Sequence, residues 1–311
     1  MLPVLSSPYN FGRPHHSTCL QKIIGDEVRY PTHPKNITFA TMFKNNIFIL
    51  LLLASLVMAS CSNHQKILKS TDNEAKYEKA MEYYEKGDYY RALQVFEQLM
   101  PIYRGTAKAE KLYFNYANAY YQEREYVLAS YYFKRFALNF PSSQWAEEAS
   151  FLAAYTKFLD SPRYSLDQTV TREAIDEFQL FINRYPFGEK AKEANDLIDE
   201  LRNKLQMKSY NIANLYYKME DYRAAIVSYE GMLKDYPDTE FKEEILYRII
   251  RSYYQYAFKS IEEKKKERYE SAVKVYYDFV SLYPDSKYID EVQRMRQRVQ
   301  DELLNIEVEP S

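Results

Sequence analysis

Apolar and polar positions along this chain follow a helical period, and the helical pattern itself repeats. An alanine is followed four residues later by an aromatic and eleven residues later by a second one. The series reads Ala92–Phe96–Tyr103, Ala129–Phe133–Phe140, Ala174–Phe178–Tyr185, Ala225–Tyr229–Tyr236 and Ala272–Tyr276–Tyr283. In the last four a proline comes next: Pro141, Pro186, Pro237 and Pro284. The alanines lie 37, 45, 51 and 47 residues apart. A recurrence of that length predicts stacked supersecondary units, each burying its apolar face on the next.

Reading backwards from each alanine extends the pattern. Twelve residues before stand Ala80, Ala117 and Ala213; nine before stand Tyr83, Tyr120 and Tyr216; three before stand Tyr89, Tyr126, Tyr222 and Tyr269. This order of small, aromatic, aromatic, alanine, aromatic and proline resembles the tetratricopeptide repeat. Small residues let two helices approach, aromatics fill the groove between them, and proline ends the second helix because it cannot continue the ladder. Lys86-Gly87-Asp88 and Met219-Glu220-Asp221 read as the turns inside repeats one and four. Repeat one has Arg104 where the others close with proline.

The expected fold is all-α, a right-handed superhelix of five tetratricopeptide-like helix-turn-helix repeats. Repeat three carries an insertion, Asp160-Ser161-Pro162-Arg163-Tyr164-Ser165-Leu166-Asp167-Gln168. Residues Glu189 to Asn214 read as one long helix running into repeat four. Repeat five reads as having a longer first helix, Glu243 to Lys266. The stretch Ile289–Val292–Met295–Val299–Leu303 has helical spacing and would cap the open end.

The N-terminal segment reads as an address. Met42-Phe43-Lys44 precedes an apolar run from Ile47 to Met58, and Ala59-Ser60-Cys61 closes it. A basic start, a short apolar core and small residues before the cut describe a secretory signal peptide. The run is shorter than the roughly 20 residues a spanning helix needs. Val57-Met58-Ala59-Ser60-Cys61 resembles a bacterial lipobox, with Met58 where leucine is usual, and that resemblance implies a diacylglyceryl group on Cys61 after cleavage. Residues 1–41 then read as an over-extended N-terminus, 42–60 as a lipoprotein signal peptide and 61–72 as a lipidated tether. Residues 73–205 hold repeats one to three, 206–305 hold repeats four and five with the capping helix, and 306–311 form a tail. Ser62, rather than an aspartate, follows the cysteine, which favours the outer membrane under the enteric sorting rule; the absence of an acidic cluster favours its periplasmic face.

Composition narrows the chemistry. Net charge is −2. Five basic and two acidic residues precede Cys61, so 37 basic and 42 acidic residues follow it. That balance argues against a nucleic-acid partner. Cysteine occurs only at 19 and 61, and histidine only at 15, 16, 33 and 64. The repeats therefore have no means to build a disulfide framework, a Cys/His metal site, a Ser-His-Asp triad or a cysteine nucleophile. No enzyme, cofactor or metal is expected, apart from the covalent lipid on Cys61.

The lipobox, the repeat number and the Ser-Pro-x-Tyr-x-Leu-Asp-Gln insertion together resemble the BamD family, lipoproteins of the bacterial β-barrel assembly machinery. Lys69-Ser70-Thr71-Asp72, the insertion and Lys264-Lys265-Lys266-Glu267-Arg268-Tyr269 resemble its Bacteroidetes branch. The resemblance implies that N-terminal repeats receive unfolded outer-membrane proteins and that C-terminal repeats dock the periplasmic domains of the barrel subunit BamA. The wall expected to bind peptides holds Tyr77, Tyr84, Phe114, Asn118, Tyr121, Gln122, Tyr210, Asn214 and Tyr217, since tyrosine offers apolar area and a hydroxyl at low entropy cost. The docking candidates are Arg248, Arg251, Tyr254, Lys264, Lys265 and Arg268. Three other readings stay open at this point: a lipoprotein scaffold for peptidoglycan or envelope-division proteins, a carboxylate-pair glycosidase, and a carbohydrate-capturing lipoprotein, which the single Trp145 disfavours.

Overall fold

The computed structural model describes residues 63–308. The leader at 42–60, Cys61, the segment 1–41 and residues 309–311 lie outside them. No strand occurs among the described residues. After a short helical segment at residues 63–69 come eleven helices: α1 (Asn73–Glu85), α2 (Tyr89–Tyr103), α3 (Ala109–Gln122), α4 (Tyr126–Asn139), α5 (Ala146–Asp160), α6 (Thr169–Arg184), α7 (Ala191–Lys218), α8 (Tyr222–Asp235), α9 (Lys242–Phe258), α10 (Glu262–Leu282) and α11 (Ile289–Val308). Each packs on the next in sequence, and α11 also reaches α9. The five repeats are α1–α2, α3–α4, α5–α6, the end of α7 with α8, and α9–α10.

The recurring alanines lie at the helix crossings. Ala92, Ala129, Ala174 and Ala225 are fully buried, as are Phe96, Phe133, Phe178 and Tyr229 four residues on. Burying one such aromatic ring contributes about 1.5–3 kcal/mol. The second aromatic becomes the C-cap: Phe140, Tyr185, Tyr236 and Tyr283 end α4, α6, α8 and α10, each immediately before its proline. The earlier alanines Ala80, Ala117 and Ala213 are also fully buried, but Tyr216 is 36% exposed where Tyr83 is 8%. The same motif position therefore packs in repeat one and faces solvent in repeat four.

The turns inside repeats one, two and four are one device. Gly87, Arg124 and Glu220 adopt φ of 75°, 62° and 62°. In each turn the left-handed residue donates to the carbonyl three back, and its successor donates to the carbonyl five back. That is the Schellman arrangement, which satisfies the last carbonyls of the first helix. Asp88 and Asp221 then cap α2 and α8 by accepting from Arg91 N and Ala224 N.

The long spacing between repeats three and four is a shared helix. α7 has 28 residues, about 42 Å at 1.5 Å per residue. Its first part gives Ala194, Ile198 and Leu201 to the core around Phe178 and Phe181. Its last part gives Ala213 to a separate core around Ala225 and Tyr229. Buried Leu205 and Gln206 mark the change.

Repeat five corrects one expectation. Its first helix does not run to Lys266. α9 ends at Phe258, the chain turns through Lys259, Ser260 and Ile261, and the basic stretch opens α10 instead. Ser260 N donates to Ala257 O, Lys264 N donates to Ile261 O, and Ile261 takes an extended conformation that starts the new helix. The acidic pair Glu262–Glu263 in its first turn suits the positive end of the helix dipole.

The insertion of repeat three is a folded loop. Gln168 is 1% exposed, and its Nε2 reaches the carbonyls of Arg163, Leu166 and Asp167 at 2.9–3.2 Å. Lys204 of α7 donates to Ser161 Oγ at 2.8 Å, and Lys208 donates to Leu166 O. Burial lowers the pKa of Lys204 below its ordinary value.

Candidate partner-binding surface

Tyr210, Asn214 and Tyr217 recur at i, i+4 and i+7, so they share one face of α7. Tyr210 stacks on Phe241 at 4.7 Å with the rings 13° apart. Asn214 Oδ1 accepts from the hydroxyl of buried Tyr229 at 2.5 Å. Tyr217 lies under two guanidinium groups, Arg248 at 5.5 Å and Arg251 at 5.7 Å. Three residues expected to bind peptide and two expected to dock a partner thus form a single surface across α7 and α9.

Hydrogen bonds fix the cations of that surface. Arg248 donates to Glu244 Oε1 at 3.1 Å, one turn earlier on α9. Burial works against the Glu244 carboxylate, but hydrogen bonds from Tyr210 and Arg248 outweigh it and hold its pKa below the ordinary value. Arg251 Nη1 donates to the Tyr247 hydroxyl at 3.1 Å, which donates to Glu291 Oε2 at 2.7 Å. Tyr247 is stacked on Tyr288 at 4.1 Å. Cations over aromatic faces contribute about 0.5–2 kcal/mol each, depending on desolvation.

Beyond Arg251 this surface opens into a groove of about 310 Å³ between α9 and α11. Arg251, Tyr254, Gln255, Glu291, Arg294 and Arg298 line it with Met295. Three guanidinium groups face one carboxylate, so the groove suits an acidic or carbonyl-rich segment. Sequence reasoning missed Arg294 and Arg298. Their signal was present: at i and i+4 they immediately precede buried Met295 and Val299 and lie on the exposed face of α11, a helix read only as a cap. Tyr247, Glu244 and Glu291 were also missed.

The remaining docking candidates lie elsewhere. Lys264 pairs with Glu267 at 3.2 Å, and Lys265 pairs with Glu262 at 2.5 Å, both within α10. Arg268 lies 3.7 Å from the Tyr256 ring centroid and donates to Ser260 Oγ. None of the three lines the α9–α11 groove.

In the N-terminal repeats, Tyr84 of α1 accepts a hydrogen bond from Asn118 Nδ2 of α3, and Gln122 donates to Asn118 Oδ1 at 3.5 Å. Burial raises the pKa of Tyr84 and of Tyr121, so both hydroxyls remain protonated donors at neutral pH. Tyr77, two turns before Tyr84, lies 5.3 Å from Tyr103 and under Lys108. Phe114 belongs to the core: it is 9% exposed, packs edge-on to Phe133 and Phe136, and stacks on Trp145 at 5.5 Å. The single tryptophan is thus engaged by a core ring.

Two other open grooves carry one carboxylate each. Asp88 lines one of about 430 Å³ beside His64 and Tyr90. Glu177 lines one of about 380 Å³ between α4 and α6. Paired-carboxylate hydrolysis needs two such groups facing across a cleft, and neither groove supplies them. Among the described residues no His/Cys/Asp/Glu cluster could hold a metal ion, and no helix is long and apolar enough to cross a membrane.

Comparison with known proteins places these observations. A family model described as outer membrane lipoprotein, YfiO, matches residues 69–268. A protein of Aquifex aeolicus provisionally named outer membrane protein assembly factor BamD is 27% identical over 204 residues, covering 65% of this chain and 67% of its own. The outer membrane protein assembly factor BamD of Pasteurella multocida is 23% identical over 66% of this chain and 82% of its own length. That of Vibrio cholerae is 23% identical over 70% of this chain and 94% of its own.

Proposed function

Since this chain belongs to the YfiO family of outer membrane lipoproteins, we propose that it is a non-enzymatic, lipid-anchored subunit of outer-membrane protein assembly. Its N-terminal repeats receive unfolded outer-membrane proteins. Its C-terminal repeats dock the periplasmic domains of the barrel subunit BamA. The acyl group sits on Cys61 and holds the repeats at the periplasmic face of the outer membrane.

The observation that carries this reading is the continuous tyrosine–arginine surface of α7, α9 and α11, on a chain whose relatives are named for outer membrane protein assembly. Arginine and tyrosine are the residues that most often dominate protein interfaces, because both give a large contact area with directional polar ends. A network already tied by Glu244, Tyr247 and Glu291 spends little further entropy on binding. The Tyr84–Asn118–Gln122 face is neutral and offers hydroxyl and amide groups to an extended chain with aromatic side chains.

Photocrosslinkers placed at Tyr84 and at Arg251 in living cells test the division of labour. Tyr84 should capture nascent outer-membrane proteins, and Arg251 should capture the barrel subunit. Recovery of peptidoglycan enzymes or division proteins at both positions, with no barrel subunit, would replace this reading with an envelope scaffold. Cys61→Ala should abolish palmitate labelling and membrane retention; unchanged labelling would refute the lipid anchor.

A further inference from the structure

The segment that leads out of Cys61 is built into the first repeat. His64 is 7% exposed; its Nε2 lies 2.8 Å from Gln94 Oε1 of α2, and its ring meets Tyr83 edge-on at 5.4 Å. Ile67 and Leu68 pack against the core of α1, α2 and α3. From there the chain is hydrogen-bonded into α1. Ser70 N donates to Ile67 O, Asp72 N donates to Ser70 Oγ, and the Asp72 carboxylate accepts from Glu74 N and Ala75 N. The described part of the tether, residues 63–72, is therefore a spur fixed against repeat one.

We propose that this spur seats the edge of repeat one, centred on Tyr90 and Gln65, against the phospholipid headgroups of the membrane. The proposal rests on the reading that Cys61 carries the lipid. Two residues, Ser62 and Asn63, separate Cys61 from His64, and the three steps between them span at most about 11 Å. Acyl chains buried in a bilayer thus hold His64 within about 11 Å of the hydrocarbon boundary, at or just outside the headgroup layer, and the chain beyond it is fixed.

The surface at that point suits the location. An open concavity of about 430 Å³ lies between His64, Gln65, Asp88, Tyr90, Arg91 and Gln94. Tyr90 projects from it, 67% exposed. His64 Nδ1 is buried and finds no partner among the described residues. Lys66 is exposed on the spur itself. Tyrosine is enriched at the membrane–water interface, where its ring sits among headgroups, and lysine is drawn to anionic lipid. The spur would orient the whole array relative to the bilayer, and a flexible leash would not.

The test uses the mature lipoprotein reconstituted into vesicles of phosphatidylethanolamine and phosphatidylglycerol with nitroxide-headgroup lipid. A fluorophore is attached at Tyr90→Cys or, as a distant control, at Tyr277→Cys, which is also well exposed. Quenching should be several-fold stronger at position 90. The triple variant His64→Ala, Ile67→Ala, Leu68→Ala frees the spur, and quenching at position 90 should fall towards the control while vesicle-bound protein is unchanged. Equal quenching at both positions overturns the proposal, as does undiminished quenching in the triple variant. Protein that fails to float with the vesicles at all overturns the lipid anchor, and with it this inference.

Discussion

The repeats before the middle of α7 and those after it use the same tyrosine-rich alphabet for different chemistry. On the first face, Tyr84, Asn118 and Gln122 satisfy one another through neutral hydrogen bonds, and only Tyr77 has a cation, Lys108, over its ring. On the second face, Tyr217 and Tyr247 both lie under Arg248 and Arg251, with Glu244 and Glu291 as counter-charges. The first face offers shape and hydroxyls, which tolerate many extended sequences. The second offers fixed charge, which rewards one matching partner and penalises wrong ones. Under the proposed division of labour, varied clients would meet the first face and one constant neighbour the second.

The cores are as separate as the faces, and breaking one core tests this most severely. Phe178 is fully buried with Phe181, Ile198 and Leu201 in the first half. Phe178→Ala should cost about 3–5 kcal/mol. Trp145, the sole tryptophan, stacks on Phe114 in that half, so its fluorescence reports those repeats alone. In urea, Trp145 fluorescence of the variant should be lost before far-UV ellipticity. Coincident transitions would show one cooperative unit and dissolve the distinction between halves.

Removing charge from the second face should have the next largest effect. Arg251→Ala takes a guanidinium from Tyr217 and Tyr247 and one wall from the α9–α11 groove. Affinity for purified BamA periplasmic domains, measured by calorimetry, should drop roughly 10–100-fold, or about 1.4–2.8 kcal/mol. Crosslinking of clients at Tyr84 should persist. Equal loss at both sites would mean that the faces act as one.

Acid should act on the second face through Glu244. Its folded pKa lies below the ordinary 4.5, so its contribution is complete above that value and disappears as pH falls through the lowered one. Glu244→Gln should lose that contribution at neutral pH and show a shallower fall in thermal midpoint on acidification. Parallel pH profiles for variant and wild type would remove Glu244 from the network.

Much of this was legible in the residues. Alanine and aromatic spacing located every repeat. The face of α7 was legible because Tyr210, Asn214 and Tyr217 keep helical spacing. Three features were not. Phe114 has the register of a groove residue, but Trp145, distant in sequence, stacks on it. The break at Ser260 lacks glycine and proline, so nothing local separates it from a continuing helix. Arg294 and Arg298 gain their meaning only when α11 is laid against α9.

The smallest effect concerns the turns, where repeats one and two differ at a single atom's worth of backbone freedom. Gly87 and Arg124 hold the same left-handed position with the same two hydrogen bonds. A Cβ at Gly87 would meet nothing nearer than Tyr89 at 4.0 Å, so Gly87→Ala has no steric clash and isolates the backbone penalty. That penalty is about 1–2 kcal/mol for an L-residue in this region, partly offset by the unfolded-state entropy that glycine carries. Gly87→Ala should therefore destabilise by roughly 1 kcal/mol, and Arg124→Gly should stabilise by roughly 0.5–1 kcal/mol. Urea midpoints of the two variants should move in opposite directions. If Arg124→Gly lowers the midpoint instead, the arginine side chain makes a contact that outweighs its strained backbone, and the two turns are not equivalent.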